Sequence, residues 1–183
     1  MRESVLITLV SPDRAGLVER ITKVILDCGG NLEQSRMARL GGDFAGILLV
    51  SIDESALSRL MTACEQLDEE GLRLFSRTTD AAAATGRFAG FVPHEIVVTG
   101  ADHEGIVHAI AAFLAHEGAN VEELSASVSN APLTGAPLFA MRALVAIPPS
   151  VGGRRLREAL ERLADELAVD VDIKLHAGGG ATP

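Results

Sequence analysis

Apolar residues in the first half of the chain alternate between short continuous runs and amphipathic stretches. An apolar run at residues 5–10 predicts a buried strand, and residues 14–28 place their apolar side chains on one face of a helix. Gly29 and Gly30 end that helix. The predicted elements of this half are a strand at 5–10, a helix at 14–28, strands at 31–40 and 44–52, a helix at 54–69 and a strand at 72–78.

The second half repeats this order, and self-comparison shows that the two halves are copies. A shift of 89 residues gives seven identities within 21 positions, and a shift of 95 continues the match beyond a loop at 129–138 with six extra residues. The identical pairs are Asp13/Asp102, Gly16/Gly105, Val18/Val107, Ile21/Ile110, Gly29/Gly118, Asn31/Asn120 and Glu33/Glu122. The predicted elements are strands at 95–99, 120–129, 138–147 and 170–175 and helices at 104–117 and 153–167.

Each copy has the order β-α-β-β-α-β, which predicts a ferredoxin-like sandwich. The fold class is therefore α+β, with two ferredoxin-like domains, each an antiparallel sheet with helices packed on one face. The expected boundaries are 1–79 for the first domain, 80–92 for a linker, 93–176 for the second domain and 177–183 for a disordered tail. Because one such domain has a small core, we expect the two to share sheet edges.

Composition and charge exclude several classes of function. The chain of 183 residues is 48% hydrophobic, but no apolar run approaches the roughly 20 residues of a membrane span. Its first residues lack the pattern of a signal peptide, so we expect a cytoplasmic location. The net charge is -9, and both halves carry more acidic than basic residues, which disfavours direct nucleic-acid binding. Cys28 and Cys64 each close an apolar helical pattern and are predicted core residues.

The turn between the first strand and the first helix, SPDRAGL at residues 11–17, has a counterpart in GADHEGI at residues 100–106. A strand that meets a helix at a glycine exposes the first amide groups of that helix. In the first copy these belong to Ala15, Gly16, Leu17 and Val18. Because the positive end of the helix dipole lies behind them, a carboxylate or phosphate can bind there without Lys or Arg.

Two residues of each copy have a structural as well as a functional interpretation. Asp13 and Asp102 stand where a helix N-cap is expected, and the same carboxylate can also accept a hydrogen bond from a ligand ammonium group. Asn31 and Asn120 follow the residues that end the helix, where an Asn tolerates a left-handed backbone. The sequence leaves both interpretations open.

These residues resemble a known family. The turns DRAGLV and DHEGIV, the helix exits GGNLE and GANVE and the doubled β-α-β-β-α-β order are similar to tandem ACT domains, small regulatory modules that sense amino acids. The stretch SRMARLGGDF at 35–44 resembles more narrowly the glycine cleavage system transcriptional repressor group, whose members consist of two ACT domains. The resemblance covers residues 3–176.

The resemblance implies a ligand site. ACT domains that bind amino acids commonly have an N-x-P-G turn, and a neighbouring domain supplies a second Asn. Here Asp13 and Asp102 replace the first Asn, Ala15 and Glu104 replace the Pro, and Glu104 is expected to repel a carboxylate. The implied ligand-binding residues are Asp13, Arg14, Ala15, Gly16, Leu17, Val18 and Asn31 in the first copy and Asp102, His103, Gly105, Ile106, Val107 and Asn120 in the second.

The resemblance also implies a function. The chain is expected to be a non-enzymatic regulator of transcription that binds a small amino acid, glycine or serine first, at the interface between the two ACT domains, with no cofactor or metal. The implied partner is a protein, with a LysR-type DNA-binding activator as one candidate, and neither a nucleic acid nor a membrane; a homodimer stays open. The alternative is a regulatory subunit of an amino-acid metabolic enzyme.

An enzyme is the competing hypothesis from another class. The chain has five histidines, and His103, Glu104 and His108 have a superficial metal-ligand spacing. Histidines five positions apart do not share a helix face, and no Cys or second carboxylate pair completes a tetrahedral set. The sequence also has no nucleophile elbow and no GKS/T phosphate loop. It therefore favours a regulator.

Overall fold

The computed structural model describes residues 1–69, 71–80 and 86–176. The chain divides into two compact units, Met1–Thr85 and Gly86–Pro183. Part of the expected linker, 81–85, and the expected disordered tail, 177–183, lie outside the described residues.

Unit 1 has the predicted order of two helices and four strands. Its elements are β1 (Arg2–Pro12), α1 (Leu17–Asp27), β2 (Asn31–Leu40), β3 (Asp43–Asp53), α2 (Glu54–Glu69) and β4 (Arg73–Thr79).

Unit 2 repeats the order of unit 1. Its elements are β5 (Val92–Ala101), α3 (Ile106–His116), β6 (Asn120–Asn130), β7 (Pro137–Ile147), α4 (Gly153–Glu166) and β8 (Val169–Leu175). Both units are thus βαββαβ, so the predicted α+β, ferredoxin-like fold class is confirmed.

Each unit contains one four-stranded antiparallel sheet, with the order β2-β3-β1-β4 in unit 1 and β6-β7-β5-β8 in unit 2. The two central strands of the first sheet are β1 and β3, and in their pairing Pro12 lies opposite Asp43 and Ser4 lies opposite Ser51. The end of β1 that leads into α1 therefore lies beside the β2–β3 hairpin. A bulge interrupts the β2–β3 pairing between Leu32 and Gln34.

The inner face of each sheet packs against the two helices of the same unit. Along β1, Val5, Ile7 and Leu9 are buried and alternate with more exposed residues, because successive side chains of a strand point to opposite faces. Ile21 and Ile25 of α1 belong to the same core. Full burial of such an aliphatic side chain contributes roughly 1.5–3 kcal/mol, so this core supplies the main force that holds α1 on the sheet. Unit 2 has its own separate core.

Helix α1 ends in a left-handed glycine rather than at an asparagine. Gly29 has φ 79°, and the N–H of Gly30 donates to the Ile25 oxygen at 2.9 Å. The Arg59 guanidinium of α2 donates to the Cys28 oxygen at 2.6 Å and satisfies a carbonyl at the helix end. Both cysteines are free and buried.

The first helix of each unit begins later than the sequence pattern predicts. The predicted helix starts were residues 14 and 104, whereas α1 starts at Leu17 and α3 at Ile106. The preceding residues, Gly16 and Gly105, have φ 89° and 93°, outside the helical region, so the turn residues before them cannot join the helix. No helix within the described ranges has both the length and the apolar character needed to cross a bilayer.

Candidate functional site

The strand-to-helix turn of unit 1 is open to solvent around its glycine. A Cβ built on Gly16 would meet no atom within 4 Å, so the glycine is needed for its φ of 89° rather than for lack of space. Helix α1 follows, and its first intrahelical bond runs from the Arg20 N–H to the Gly16 oxygen at 2.9 Å. The N–H groups of Leu17, Val18 and Glu19 precede that bond, and within the described part of the chain no side-chain cap bond is made at this helix start.

The structure shows that Asp13 does not cap α1, so the capping interpretation was wrong. Gly16 holds the N-cap position and makes no side-chain cap bond. Asp13 lies three residues earlier, where its N–H donates to the Gly42 oxygen at 2.9 Å. Its carboxylate forms an ion pair with Arg39 of β2, whose Nη1 lies 3.4 Å from Oδ2. The carboxylate is thus paired with Arg39 beside the turn instead of being used by the helix amides.

Unit 2 places the same groups at the equivalent turn. The Asp102 N–H donates to the Pro137 oxygen at 3.1 Å, Gly105 precedes α3 with φ 93°, and α3 also lacks a side-chain cap. The amides of Ile106, Val107 and His108 precede the first intrahelical bond, from Ala109 to the Gly105 oxygen. The capping interpretation of Asp102 is therefore wrong for the same reason.

The side chains at these helix starts contribute little to a ligand site. Leu17 and Ile106 are buried in their cores, so only their backbone amides can contact a ligand. Val18 and Val107 remain partly exposed. Arg14, Ala15 and Glu104 are exposed residues of the turns.

His103 connects the second turn to the end of α4. Its Nδ1 lies 3.0 Å from the Glu104 oxygen, and its Nε2 lies 2.7 Å from the Leu167 oxygen. A carbonyl oxygen only accepts hydrogen bonds, so the ring satisfies both contacts only when both nitrogens carry a proton. The Leu167 contact first, then the Glu104 contact and the charge of Asp102, raise the pKa of His103.

Asn31 and Asn120 are strand residues and do not have the left-handed backbone that one interpretation assigned to them. Among the described residues the only non-glycine with positive φ is Ala168. Asn31 begins β2 opposite Ser51, which in turn lies opposite Ser4. Asn31, Ser51 and Ser4 therefore lie side by side, eight residues or about 27 Å from Pro12 along β1. Unit 1 does not bring its own Asn31 to its own turn. The ligand role of both asparagines stays a prediction.

Two residues that lie next to predicted site residues, one beside Asp13 and one beside Asn31, were missed in the sequence. Arg39 reaches Asp13 only because β2 and β3 pair so that Arg39 lies next to the turn, a fact of strand register. Ser51 lies opposite Asn31, is 4% exposed, and its hydroxyl has no hydrogen-bond partner within the described part of the chain. Such a buried hydroxyl is uncommon, and the equivalent position of unit 2 holds Ala146.

Among the described residues, no group of three or more His, Cys, Asp or Glu is placed to hold a metal ion. Two clefts of unit 2, of about 200 and 570 Å³, include none of the predicted site residues. The candidate site is therefore the pair of strand-to-helix turns.

The fold and these turns agree with two matches to a family of known domains. Residues 3–75 match an ACT domain model, and residues 92–174 match a second ACT domain model. The chain therefore belongs to the ACT-domain family and carries two ACT domains in tandem. The resemblance to this family is confirmed.

Three known proteins are similar to most of this chain. The glycine cleavage system transcriptional repressor of Escherichia coli (strain K12) is 25% identical over 163 residues, which are 88% of this chain and 84% of that protein. A solved structure of an unknown protein from Galdieria sulphuraria is 32% identical, with a TM-score of 0.81 over 97% of this chain and 100% of that chain. A solved structure of a candidate glycine cleavage system transcriptional repressor has the same fold, with a TM-score of 0.70 and 20% identity over 97% of this chain and 99% of that chain.

Proposed function

We propose that the chain is an amino-acid-sensing regulatory protein that binds glycine or serine at the turn before the first helix of an ACT domain. The observation that carries the proposal is the turn itself, which occurs twice. In both copies a left-handed glycine precedes a helix without a side-chain cap, and an aspartate lies three residues before that glycine. The similarity to a transcriptional repressor of Escherichia coli supports a regulatory role.

The turn offers complementary groups for both ends of an amino acid. Backbone amides at the positive end of a helix attract the ligand carboxylate. The Asp13 carboxylate, which caps no helix, can accept hydrogen bonds from the ligand ammonium group. A small ligand is favoured because Gly16 and its neighbours form an open turn without a deep side-chain pocket.

Unit 1 is the better carboxylate site in this proposal. Arg39 lies beside its turn, whereas the equivalent position in unit 2 is Val128, which like Arg39 lies opposite a phenylalanine. Unit 2 also has Glu104 where unit 1 has Ala15. His103 brings positive charge to the second turn, but the Glu104 and Leu167 oxygens already use its two N–H groups. Ligand binding is therefore expected first in unit 1.

The output of the sensor is proposed to be a protein contact. With a net charge of -9, the chain is poorly suited to bind DNA directly. We therefore favour regulation of transcription through a DNA-binding protein partner, for which a LysR-type activator is one candidate, and in which amino-acid binding shifts the population of conformations. In this proposal the chain is not an enzyme. A regulatory subunit of an amino-acid metabolic enzyme is the second candidate, since ACT domains serve regulation in general.

Calorimetric titration of the full chain with glycine and with serine tests the ligand. Asp13→Ala removes the proposed ammonium acceptor and breaks one exposed ion pair. Asp27→Ala is the matched control, because it breaks the exposed Lys23–Asp27 pair on α1 and leaves the turn unchanged. Loss of a charge-assisted hydrogen bond costs about 1.5–3 kcal/mol, so Asp13→Ala is expected to weaken binding roughly tenfold to a hundredfold. Full affinity in Asp13→Ala, or no heat with folded wild-type protein at millimolar ligand, contradicts the proposal.

Affinity isolation of the chain from its source cells, with and without added glycine, distinguishes the two outputs. A partner with a helix-turn-helix domain whose recovery changes with glycine supports transcriptional regulation. A biosynthetic enzyme as the partner supports the subunit hypothesis instead.

A further inference from the structure

A cleft of about 570 Å³ lies in unit 2 between the start of α4 and one end of the sheet. Its walls include Val92 of β5, Ile147 of β7 and Leu175 of β8, so three strands and a helix contribute to it. Val92 is nine residues from Ala101 along β5, or about 30 Å, and the cleft therefore lies at the opposite end of the sheet from the second turn. Its volume is within the range of about 300–1,000 Å³ that is typical of small-molecule sites.

The wall of the cleft is mainly apolar, and part of it is open to solvent. Ile147 and Leu156 belong to the buried core of unit 2 and form the inner wall. Leu175 and Val92, which also line the cleft, remain 71% and 36% exposed. An apolar chain that lies in the cleft would remove these side chains from water, which is favourable.

The charged side chains of the cleft are all basic. Arg154 and Arg157 lie one helical turn apart on the same side of α4, and His94 lies on β5. The Arg157 guanidinium donates one N–H to the Ile173 oxygen, which holds the side chain at the wall, and its other N–H groups can contact a ligand. No acidic side chain of the described residues lines the cleft, although the whole chain has a net charge of -9. A cleft that carries one sign of charge attracts the opposite sign.

Asp172 is close to this basic cluster but does not line the cleft. It precedes the buried Ile173 on β8, so its side chain points to the opposite face of the sheet. There its carboxylate forms an ion pair with Lys174. The arginines on the helix side of the sheet therefore keep their charge available for a ligand.

The equivalent helix position in unit 1 holds a methionine. Ser76 of β4 and Ile173 of β8 have equivalent places in their sheets, because their partners on the central strand are 89 residues apart. In unit 1 the Ser76 hydroxyl donates to the Met61 sulfur at 3.0 Å, whereas in unit 2 the Ile173 oxygen accepts from Arg157. Met61 thus stands where unit 2 has Arg157.

The exposed part of the wall also differs between the units. By the same strand registers, Glu3 and Thr78 of unit 1 stand where unit 2 has Val92 and Leu175. Unit 1 therefore has an acidic and a polar side chain where unit 2 has two apolar ones. The combination of an apolar wall with basic side chains occurs at this place in unit 2 and not in unit 1, so the shared fold does not account for it.

We propose that this cleft binds a small organic carboxylate with an apolar chain, such as a medium-chain fatty acid. The chain lies along the apolar wall, and the carboxylate faces the guanidinium groups of Arg154 and Arg157. A guanidinium group can bind a carboxylate through two parallel hydrogen bonds. An uncharged molecule of the same length gains the apolar contact but not the charged one. The site is separate from both turns and gives the chain a second ligand beside the proposed amino acid.

An NMR titration of the full chain with octanoate tests the site. The amide signals of Val92, Arg154 and Leu175, which line the cleft, are expected to shift. Hexanoate is expected to bind about tenfold more weakly than octanoate, because it buries two fewer methylene groups. Octanol has the apolar chain without the carboxylate, so it is expected to bind at least about tenfold more weakly than octanoate.

Two variants place residues of unit 1 in the cleft, and a unit with the same fold already carries them at the equivalent positions. Arg157→Met is expected to weaken octanoate binding about tenfold and to leave octanol binding unchanged. Leu175→Thr is expected to weaken the binding of both molecules several-fold. Arg162→Met, on the same helix but outside the cleft, is the control and keeps the affinity of the wild type.

Each outcome decides the proposal. Octanoate binding that weakens in Arg157→Met and Leu175→Thr, but not in Arg162→Met, supports it. The absence of shifts in the cleft signals of the folded wild type at millimolar octanoate overturns it. Equal affinities for octanol and octanoate also overturn it, because the arginines then play no part in binding, and so does full octanoate affinity in the folded Arg157→Met variant.

Discussion

His103 distinguishes the two copies of the turn at the scale of a single residue. Its ring nitrogens lie 3.0 and 2.7 Å from the Glu104 and Leu167 oxygens, which raises its pKa. A group whose pKa is higher in the folded than in the unfolded chain binds more protons when folded. Its stabilisation is therefore complete below the unfolded value of 6.5 and is lost as the pH rises through the folded value.

Unit 2 is accordingly expected to be more stable at pH 6 than at pH 8, through this residue. Denaturant unfolding of the wild type and of His103→Asn at both pH values measures the effect, and the variant should lose part of the pH dependence. His108→Asn, which changes another exposed histidine near the start of α3, should keep it. Equal pH dependence in the wild type and in His103→Asn would show that the two carbonyl contacts do not stabilise the folded unit.

Cys64 gives a second pH effect with the same sign at a higher pH. Its burial first, and then the neighbouring Cys28 and Glu65, raise the pKa of the thiol from 9.0 to about 11. Between these values the folded chain holds a proton that the unfolded chain has released, so the free energy of unfolding of unit 1 should fall as the pH rises from 9 towards 11. Unfolding curves of the wild type and Cys64→Ala across this range test it. A slope as steep in Cys64→Ala as in the wild type contradicts the assignment.

At the level of the elements, the residue after the second helix has a left-handed backbone in both units but is a different residue type in each. Gly71 follows α2 with φ 91°, and Ala168 follows α4 with φ 52°. Both donate to a carbonyl three residues earlier, those of Asp68 and Asp165. A left-handed backbone costs a residue with a Cβ about 1–2 kcal/mol, so unit 2 carries a strain that unit 1 avoids.

Exchanging the residues should therefore change stability in opposite directions. Gly71→Ala is expected to lower the free energy of unfolding of unit 1 by about 1 kcal/mol, because a Cβ there meets no neighbour within 4 Å and only the backbone is strained. Ala168→Gly is expected to raise that of unit 2, by less than 1 kcal/mol after the added flexibility of the unfolded chain is subtracted. Urea unfolding of the two variants measures both. Changes of the same sign would mean that contacts, not φ, set these positions.

The elements themselves could largely be predicted from the sequence, whereas the details of the turn could not. The predicted bounds of β2 and α2 agree with the structure, because glycines and a change of hydrophobic period mark their ends. Helix α1 was extended three residues too far because apolar spacing does not reveal where φ changes sign at Gly16. Arg39 and the Leu167 contact of His103 were missed because they depend on strand register and on a helix end 64 residues away.

At the scale of the whole molecule, the two ACT domains share a fold but differ in the groups at their turns and on their sheets. Unit 1 has Arg39 beside Asp13 and exposed apolar side chains on its sheet, such as Ile47 and Phe75. Unit 2 has Glu104 in its turn and the ion pairs Arg142–Glu95 and Lys174–Asp172 on its sheet. Both units have the turn with its left-handed glycine, whereas the charged groups around it differ. The proposed ligand site is therefore expected to be stronger in unit 1 than in unit 2.

An NMR titration of the amide groups with glycine tests whether the helix amides bind the ligand carboxylate. The amide signals of Leu17, Val18 and Glu19 are expected to shift first, and those of Ile106 and Val107 at higher concentration. Glycine amide, which lacks the carboxylate, is expected to move neither set. Shifts confined to other parts of the chain, or equal shifts with glycine amide, would contradict the claim that the helix amides bind the carboxylate.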